Sequence, residues 1–230
     1  MINEGENPDY LLDVFDAAYY NHDFSWNEVI QIAVKGNKKG LHHIIRMIYE
    51  ALSARNPDGA ILLRAYENHD FVVDSFEERI DRTHPQIVDA LHVLNFIIDG
   101  VPIIYSGNEF AECRRHSMWR WSNDEYCLDW SALDTEVGQK RLILTQRLCD
   151  IRHSYGVLCH GSTKMIKSAY LLTFLREDDK YTVRASFNFG DTTAEQSLSD
   201  GEILLCGNAD IAGNAAFIKK GGYLVEIISK

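Results

Sequence analysis

The apolar run Ala60-Ile61-Leu62-Leu63-Arg64-Ala65 leads into Asn68-His69-Asp70, an amide, an imidazole and a carboxylate in a row. The run reads as a buried strand, and a strand that stops in such side chains holds them at its most rigid point. A second apolar run, Val101-Pro102-Ile103-Ile104-Tyr105, ends in Ser106-Gly107-Asn108-Glu109. The spacing between the two leaves room for the crossover that parallel neighbouring strands require. In a parallel α/β barrel the C-terminal strand ends carry the active site. The two runs therefore restrict both the fold and the place where chemistry can occur.

The intervening sequence fills that crossover with a helix. Thr83-His84-Pro85-Gln86 offers a capping threonine, a proline suited to the first turn and a glutamine at capping-box spacing. Ile87, Leu91, Leu94 and Ile98 then recur on one face until Gly100. Upstream, Leu12 to Tyr19 reads as a strand, Gly40 to Arg55 as an amphipathic helix and Pro57-Asp58-Gly59 as a turn. Downstream, a helix is expected from Glu136 to Tyr155, closed at Gly156. Alternating strands and helices argue for a parallel sheet or barrel.

Past this helix the pattern changes. Ala169 to Leu175, Tyr181 to Phe189, Glu202 to Cys206 and Tyr223 to Ile228 are β-type runs, with Asp178-Asp179 placed as a hairpin turn. The expectation is a barrel portion over residues 1–159 followed by an antiparallel β domain over 160–230.

Composition narrows the partners. A formal net charge of −11 over 230 residues disfavours nucleic acid and anionic lipid, both of which need a basic surface. No apolar stretch reaches the roughly twenty residues of a membrane span, and Met1 to Glu6 lacks the basic and apolar regions of a signal peptide. Cys113, Cys127, Cys149, Cys159 and Cys206 show no metal spacing, and they read as reduced, ordinary buried cysteines of a cytoplasmic protein.

Three groups could carry chemistry. Asn68-His69-Asp70 reads either as a site on a barrel rim or as a loop whose aspartate caps the next helix. In Tyr105-Ser106-Gly107-Asn108-Glu109, the glycine permits a sharp turn or close ligand approach, while a lone glutamate is more often structural. Trp119, Trp121, Tyr126 and Trp130 fit stacking on sugar rings or packing of a loop over the barrel top.

Taken in order, Ala65-Tyr66-Glu67-Asn68-His69-Asp70 and Gly100-Val101-Pro102-Ile103-Ile104-Tyr105-Ser106-Gly107-Asn108-Glu109 closely resemble the ends of strands seven and eight in glycoside hydrolase family 13, the α-amylase family. Cys127-Leu128-Asp129-Trp130 resembles the segment after strand eight, and Arg141 to Arg152 the final barrel helix. The β-rich tail is similar to the family's C-terminal β-sandwich. Leu12 to Asn21 looks like strand six, and Asn3 to Pro8 like the stretch just after strand five. The resemblance implies a partial (β/α)8 TIM barrel, about strands six to eight with a stub of five, followed by an all-β antiparallel sandwich.

It also implies roles. Asp70 would be the carboxylate that stabilises the transition state, and Glu4 the general acid. His69, Asn68, Tyr105 and Glu109 would contact an α-glucan or maltooligosaccharide. Retaining hydrolysis needs a nucleophilic carboxylate as well, which the family carries on strand four. No residue here matches it, so the chain is expected to be inactive alone, and no metal or other cofactor is expected. Half a barrel leaves unpaired edges and uncovered apolar surface. The implied partner is a second copy of the chain or a separate N-terminal barrel half. A non-catalytic carbohydrate-binding or structural remnant is the alternative.

Overall fold

The computed structural model of the protein describes residues 17–18, 61–68, 79–116 and 124–230. The first strands are short and parallel. β1 (Ala17–Ala18) pairs with β2 (Ile61–Arg64), which pairs on its other side with β3 (Val101–Pro102). Ala17 lies opposite Ile61 and Leu63 opposite Val101, so all three strands run the same way. The expected upstream helix and turn, residues 40–59, lie outside the described residues.

Two helices fill the crossover from β2 to β3. A single turn, α1 (Ile80–Thr83), precedes α2 (Pro85–Ile97). The capping expectation is corrected here. His84 holds the N-cap position with no side-chain cap bond, because Thr83 already belongs to α1 and its hydroxyl bonds back to the Arg79 carbonyl at 3.3 Å. Pro85 does occupy the first turn, where a missing N–H costs nothing.

The expected stripe on α2 is buried, and so is nearly everything else from Ile87 to Ile97. The reason is tertiary: α2 lies between the parallel strands and the β domain, so beyond its first turn only Asp89 is exposed. Gly100 then has φ +96°, and a Cβ there would collide with the Leu62 carbonyl oxygen. Only glycine allows this turn between α2 and β3.

α3 (Glu136–Ser154) starts with Thr135, whose hydroxyl accepts from the Gly138 N–H at 3.0 Å. After a short turn, α4 (Val157–His160), the antiparallel sheet begins. Its strands are β4 (Ser162–Ile166), β5 (Leu172–Glu177), β6 (Tyr181–Asn188), β7 (Ala194–Ser197), β8 (Glu202–Ala212) and β9 (Ala215–Ser229). The order is β4-β5-β6-β9-β7, with β8 also paired to β9. Between β5 and β6, the Asp178 carboxylate accepts the N–H groups of Lys180 at 2.8 Å and Tyr181 at 2.7 Å, forming the expected turn. β4 and β7 escaped the sequence reading because their patterns, Ser162-Thr163-Lys164-Met165-Ile166 and Ala194-Glu195-Gln196-Ser197, are largely polar.

Phe174, Val183, Ala185, Phe187 and Val225 on the inner face join α2, Leu148 and Tyr66 in one continuous core. Leu171, Ala194, Ala216, Ile218 and Leu224 form a smaller cluster on the other face. The cysteines correct another expectation: Cys113, Cys127, Cys159 and Cys206 are exposed and Cys149 half-buried, with all five free. The four exposed ones sit in loops, at a helix end or on a strand, while Cys149 lies within α3 and packs partly against the core.

Candidate functional site

The C-terminal ends of β2 and β3 are joined by a buried polar cluster built around Glu67. Its carboxylate accepts from Arg79 Nε at 2.9 Å, Asn108 Nδ2 at 2.8 Å and the Ile80 backbone N–H at 2.9 Å. Glu67 stands just before Asn68, and Arg79 and Ile80 stand where α1 begins. One carboxylate therefore ties the residue before Asn68 to the start of α1. His69 and Asp70, with Glu4, Trp119 and Trp121, lie outside the described residues.

Arg79 extends the cluster toward β3. Its Nη1 donates to Glu112 at 2.8 Å and to the Ser106 carbonyl at 3.0 Å, and the side chain has no exposed surface. Burial opposes the guanidinium charge, yet Glu67 and Glu112 outweigh it and raise the arginine pKa. Glu112 also accepts from the Arg114 N–H at 2.7 Å and from His116 Nε2 at 2.9 Å. The opposite ring nitrogen, Nδ1, lies 3.3 Å from the Tyr105 hydroxyl, and the Arg79 guanidinium sits 5.1 Å from the Tyr105 ring centre.

The expected site residues that can be placed therefore share one rim. Asn68 is buried, and Tyr105 and Glu109 are half-buried. Gly107 takes the left-handed conformation, φ +94°, and its N–H is accepted by Glu109 Oε2 at 2.9 Å. A Cβ on Gly107 would come within 2.9 Å of Glu112, so this glycine serves the turn and the packing of the cluster. Trp130 is 63% exposed and stacks on Phe110 with ring centres 5.4 Å apart.

A cleft of about 570 Å³ opens beside the cluster, walled by Arg79, Arg82, Arg114, Arg115, Asp124 and Tyr126 among others. Charge in its walls is compensated: Arg79 by Glu67 and Glu112, and Arg114 by Asp129 at 2.6 Å. Behind the rim, a second polar chain fixes Tyr66. Its hydroxyl meets His92 Nδ1 at 3.4 Å, and His92 Nε2 meets Thr145 at 2.9 Å. Burial pushes His92 down to about 3, so the imidazole is neutral. Arg141 of α3 clasps Asp81 of α1 at 3.1 Å and Asp89 of α2 at 2.6 Å.

Sequence reasoning missed Glu67, Arg79, Glu112 and His116 as members of one cluster. Glu67 left a faint signal, a carboxylate between a buried strand and a polar tripeptide. Arg79 after Glu77-Glu78, and Glu112 within Glu112-Cys113-Arg114-Arg115-His116, read as ordinary surface charge.

No model of a known protein family matches the sequence, and no curated protein matches it either. Solved structures do. A putative α-amylase from Salmonella typhimurium superimposes with a TM-score of 0.69 at 13% identity, covering 93% of this chain and 47% of its own. An α-amylase from H. orenii gives 0.68 at 16% identity, with 96% and 50% covered. A debranching enzyme from Nostoc punctiforme gives 0.69 at 14%, with 98% and 50% covered. At these identities the likeness is one of fold. The chain spans about half the length of the structures it matches. Its architecture, a parallel barrel portion followed by an antiparallel β domain, is that of the C-terminal part of the α-amylase fold.

Proposed function

We propose that this chain supplies the C-terminal portion of a retaining α-glucan hydrolase of the α-amylase type. The observation that carries the proposal is the joined rim: β2 and β3 are adjacent and parallel, and Glu67, Arg79 and Asn108 lock their C-terminal ends together. In this reading residues 1–159 belong to the barrel and 160–230 to the β domain. Asp70 stabilises the oxocarbenium-like transition state, and His69, Asn68, Tyr105 and Glu109 bind the sugar hydroxyls. Glu4 is the acid/base. The nucleophile, about 5–5.5 Å from the acid/base in a retaining enzyme, falls to a segment outside these 230 residues. Contacts that strengthen as charge develops lower the barrier, but they need that nucleophile to act upon. Five free thiols agree with a reducing, cytoplasmic setting. Among the described residues no helix is long and apolar enough to cross a membrane.

The test is calorimetric titration of the 230-residue protein with maltoheptaose, alongside an assay for reducing ends. Weak binding that is lost in Asp70→Asn, without turnover, is expected. Absence of binding, or turnover that survives Asp70→Asn, overturns the assignment.

A non-catalytic role in association is favoured by one further observation. Among the described residues β3 pairs only with β2, while Ile61, Val101 and Ile104 are exposed. An open edge beside apolar side chains fits a complementary barrel half or a second copy. Light scattering on the purified chain is expected to show self-association, and a monodisperse monomer at micromolar concentration counts against a second copy as the partner.

A further inference from the structure

We infer that His116 and Glu112 are positioning residues that fix the polarity of the Tyr105 hydroxyl, making its oxygen a hydrogen-bond acceptor toward the sugar. The inference rests on the assignment of Tyr105 to the sugar site.

The geometry begins at Glu112, which has no exposed side-chain surface. Arg79 and the Arg114 N–H donate to its carboxylate, so it is held as the ionised acceptor. An ionised carboxylate accepts only, and His116 Nε2 therefore carries the proton in the 2.9 Å contact. In the neutral Nε2–H tautomer that we infer, Nδ1 carries a lone pair into which the Tyr105 O–H, 3.3 Å away, donates. Whatever else the phenolic oxygen meets, it meets as an acceptor. Its sugar partner is consequently a hydroxyl acting as donor. The Arg79 guanidinium near the Tyr105 ring steadies the same side chain from its face.

This arrangement differs from a simple packing role in what it controls. An aromatic ring wedged between neighbours leaves its hydroxyl proton free to rotate. A lone pair fixed at Nδ1 decides where that proton points, and the carboxylate behind the imidazole decides which nitrogen holds the lone pair.

The first experiment is nitrogen NMR on the intact chain labelled with ¹⁵N at histidine. His116 is expected as the neutral Nε2–H tautomer, with an Nδ1 resonance that moves toward the free-imine position in Tyr105→Phe. A doubly protonated ring, an Nδ1–H tautomer, or an Nδ1 signal indifferent to Tyr105→Phe overturns the inference. The second is maltoheptaose titration. Tyr105→Phe and His116→Leu should each weaken binding about fivefold, the worth of one hydrogen bond, and together they should weaken it no further. His116→Gln, whose amide can donate to Glu112 and accept from Tyr105, should restore affinity. Additive losses, or no rescue by glutamine in a variant with unchanged melting, overturn it as well. If the chain binds no maltoheptaose at all, the sugar-site reading fails while the NMR result still decides the relay.

Discussion

The rim and the β domain are held together in opposite ways. In the β domain, Phe174, Val183, Ala185 and Phe187 bury apolar surface against α2, and long ladders satisfy the backbone. At the rim, the ends of two short strands are joined by Glu67, Arg79, Asn108 and Glu112 through buried ion pairs and hydrogen bonds. Apolar burial is roughly additive in area and tolerant of exact partners. A buried ion cluster is not tolerant: removing one member leaves charges desolvated and unpaired. A strand of two residues such as β3 offers few ladder bonds, so the rim depends on its side chains for register.

The sharpest way to break this contrast is Arg79→Met. It leaves Glu67 and Glu112 buried without their cation and should cost about 3–5 kcal/mol in urea unfolding. Phe187→Ala in the sheet core should cost a similar ~3–5 kcal/mol through the cavity it leaves. The two are told apart by the double variant Arg79→Met/Glu67→Gln, which should recover part of the rim's loss, since the orphaned charge goes with it. No recovery would mean that the cluster is not electrostatically coupled.

Next in size is Gly100→Ala. The positive φ and the Leu62 carbonyl together make any side chain strained, for about 1–3 kcal/mol. A neutral result in chemical denaturation would show that the β2–β3 connection relaxes freely.

Acid dependence sharpens the comparison further, because the helices behind the rim carry two groups with opposed shifts. Burial raises Asp81 to about 6, with Arg141 opposing it. Its contribution to stability is present below the usual carboxylate value and is lost as pH rises through about 6. His92 is lowered to about 3, mainly by burial. Its contribution is present above pH 6.5, the ordinary value, and is lost as pH falls toward 3. Between pH 6 and 4 the melting temperature of His92→Gln should therefore rise on acidification, and that of Asp81→Asn should fall. Parallel slopes in the two variants would contradict the assigned burial.

The smallest effect belongs to the surface. Lys140→Ala removes an exposed pair with Glu136 at 2.5 Å, and melting should be unchanged within error. A measurable loss would place part of the stability of α3 on solvent-screened charge.

Much of the architecture was legible because it rests on local pattern. The β2 and β3 runs, the buried stripe of α2, the Glu136 start of α3 with its end within a residue of Tyr155, and the Asp178 turn all follow from periodicity or turn chemistry. The failures were local as well. Thr83 looked like a cap because the sequence gives no sign that a separate turn, α1, ends there. β4 and β7 are polar edge strands that exist through pairing with β5 and β9.

The amino-acid order thus determined the strand–helix rhythm, the change to antiparallel β structure and the polar residues at two strand ends. Each depends on neighbours within a few positions. Tertiary structure decided what joins those ends. Glu67 meets Arg79 across 12 positions and Asn108 across 41, and Arg79 meets Glu112 across 33. No periodicity marks such partners: a charged side chain reads as solvated until folding removes its water, and only the assembled rim supplies the partner that makes its burial tolerable.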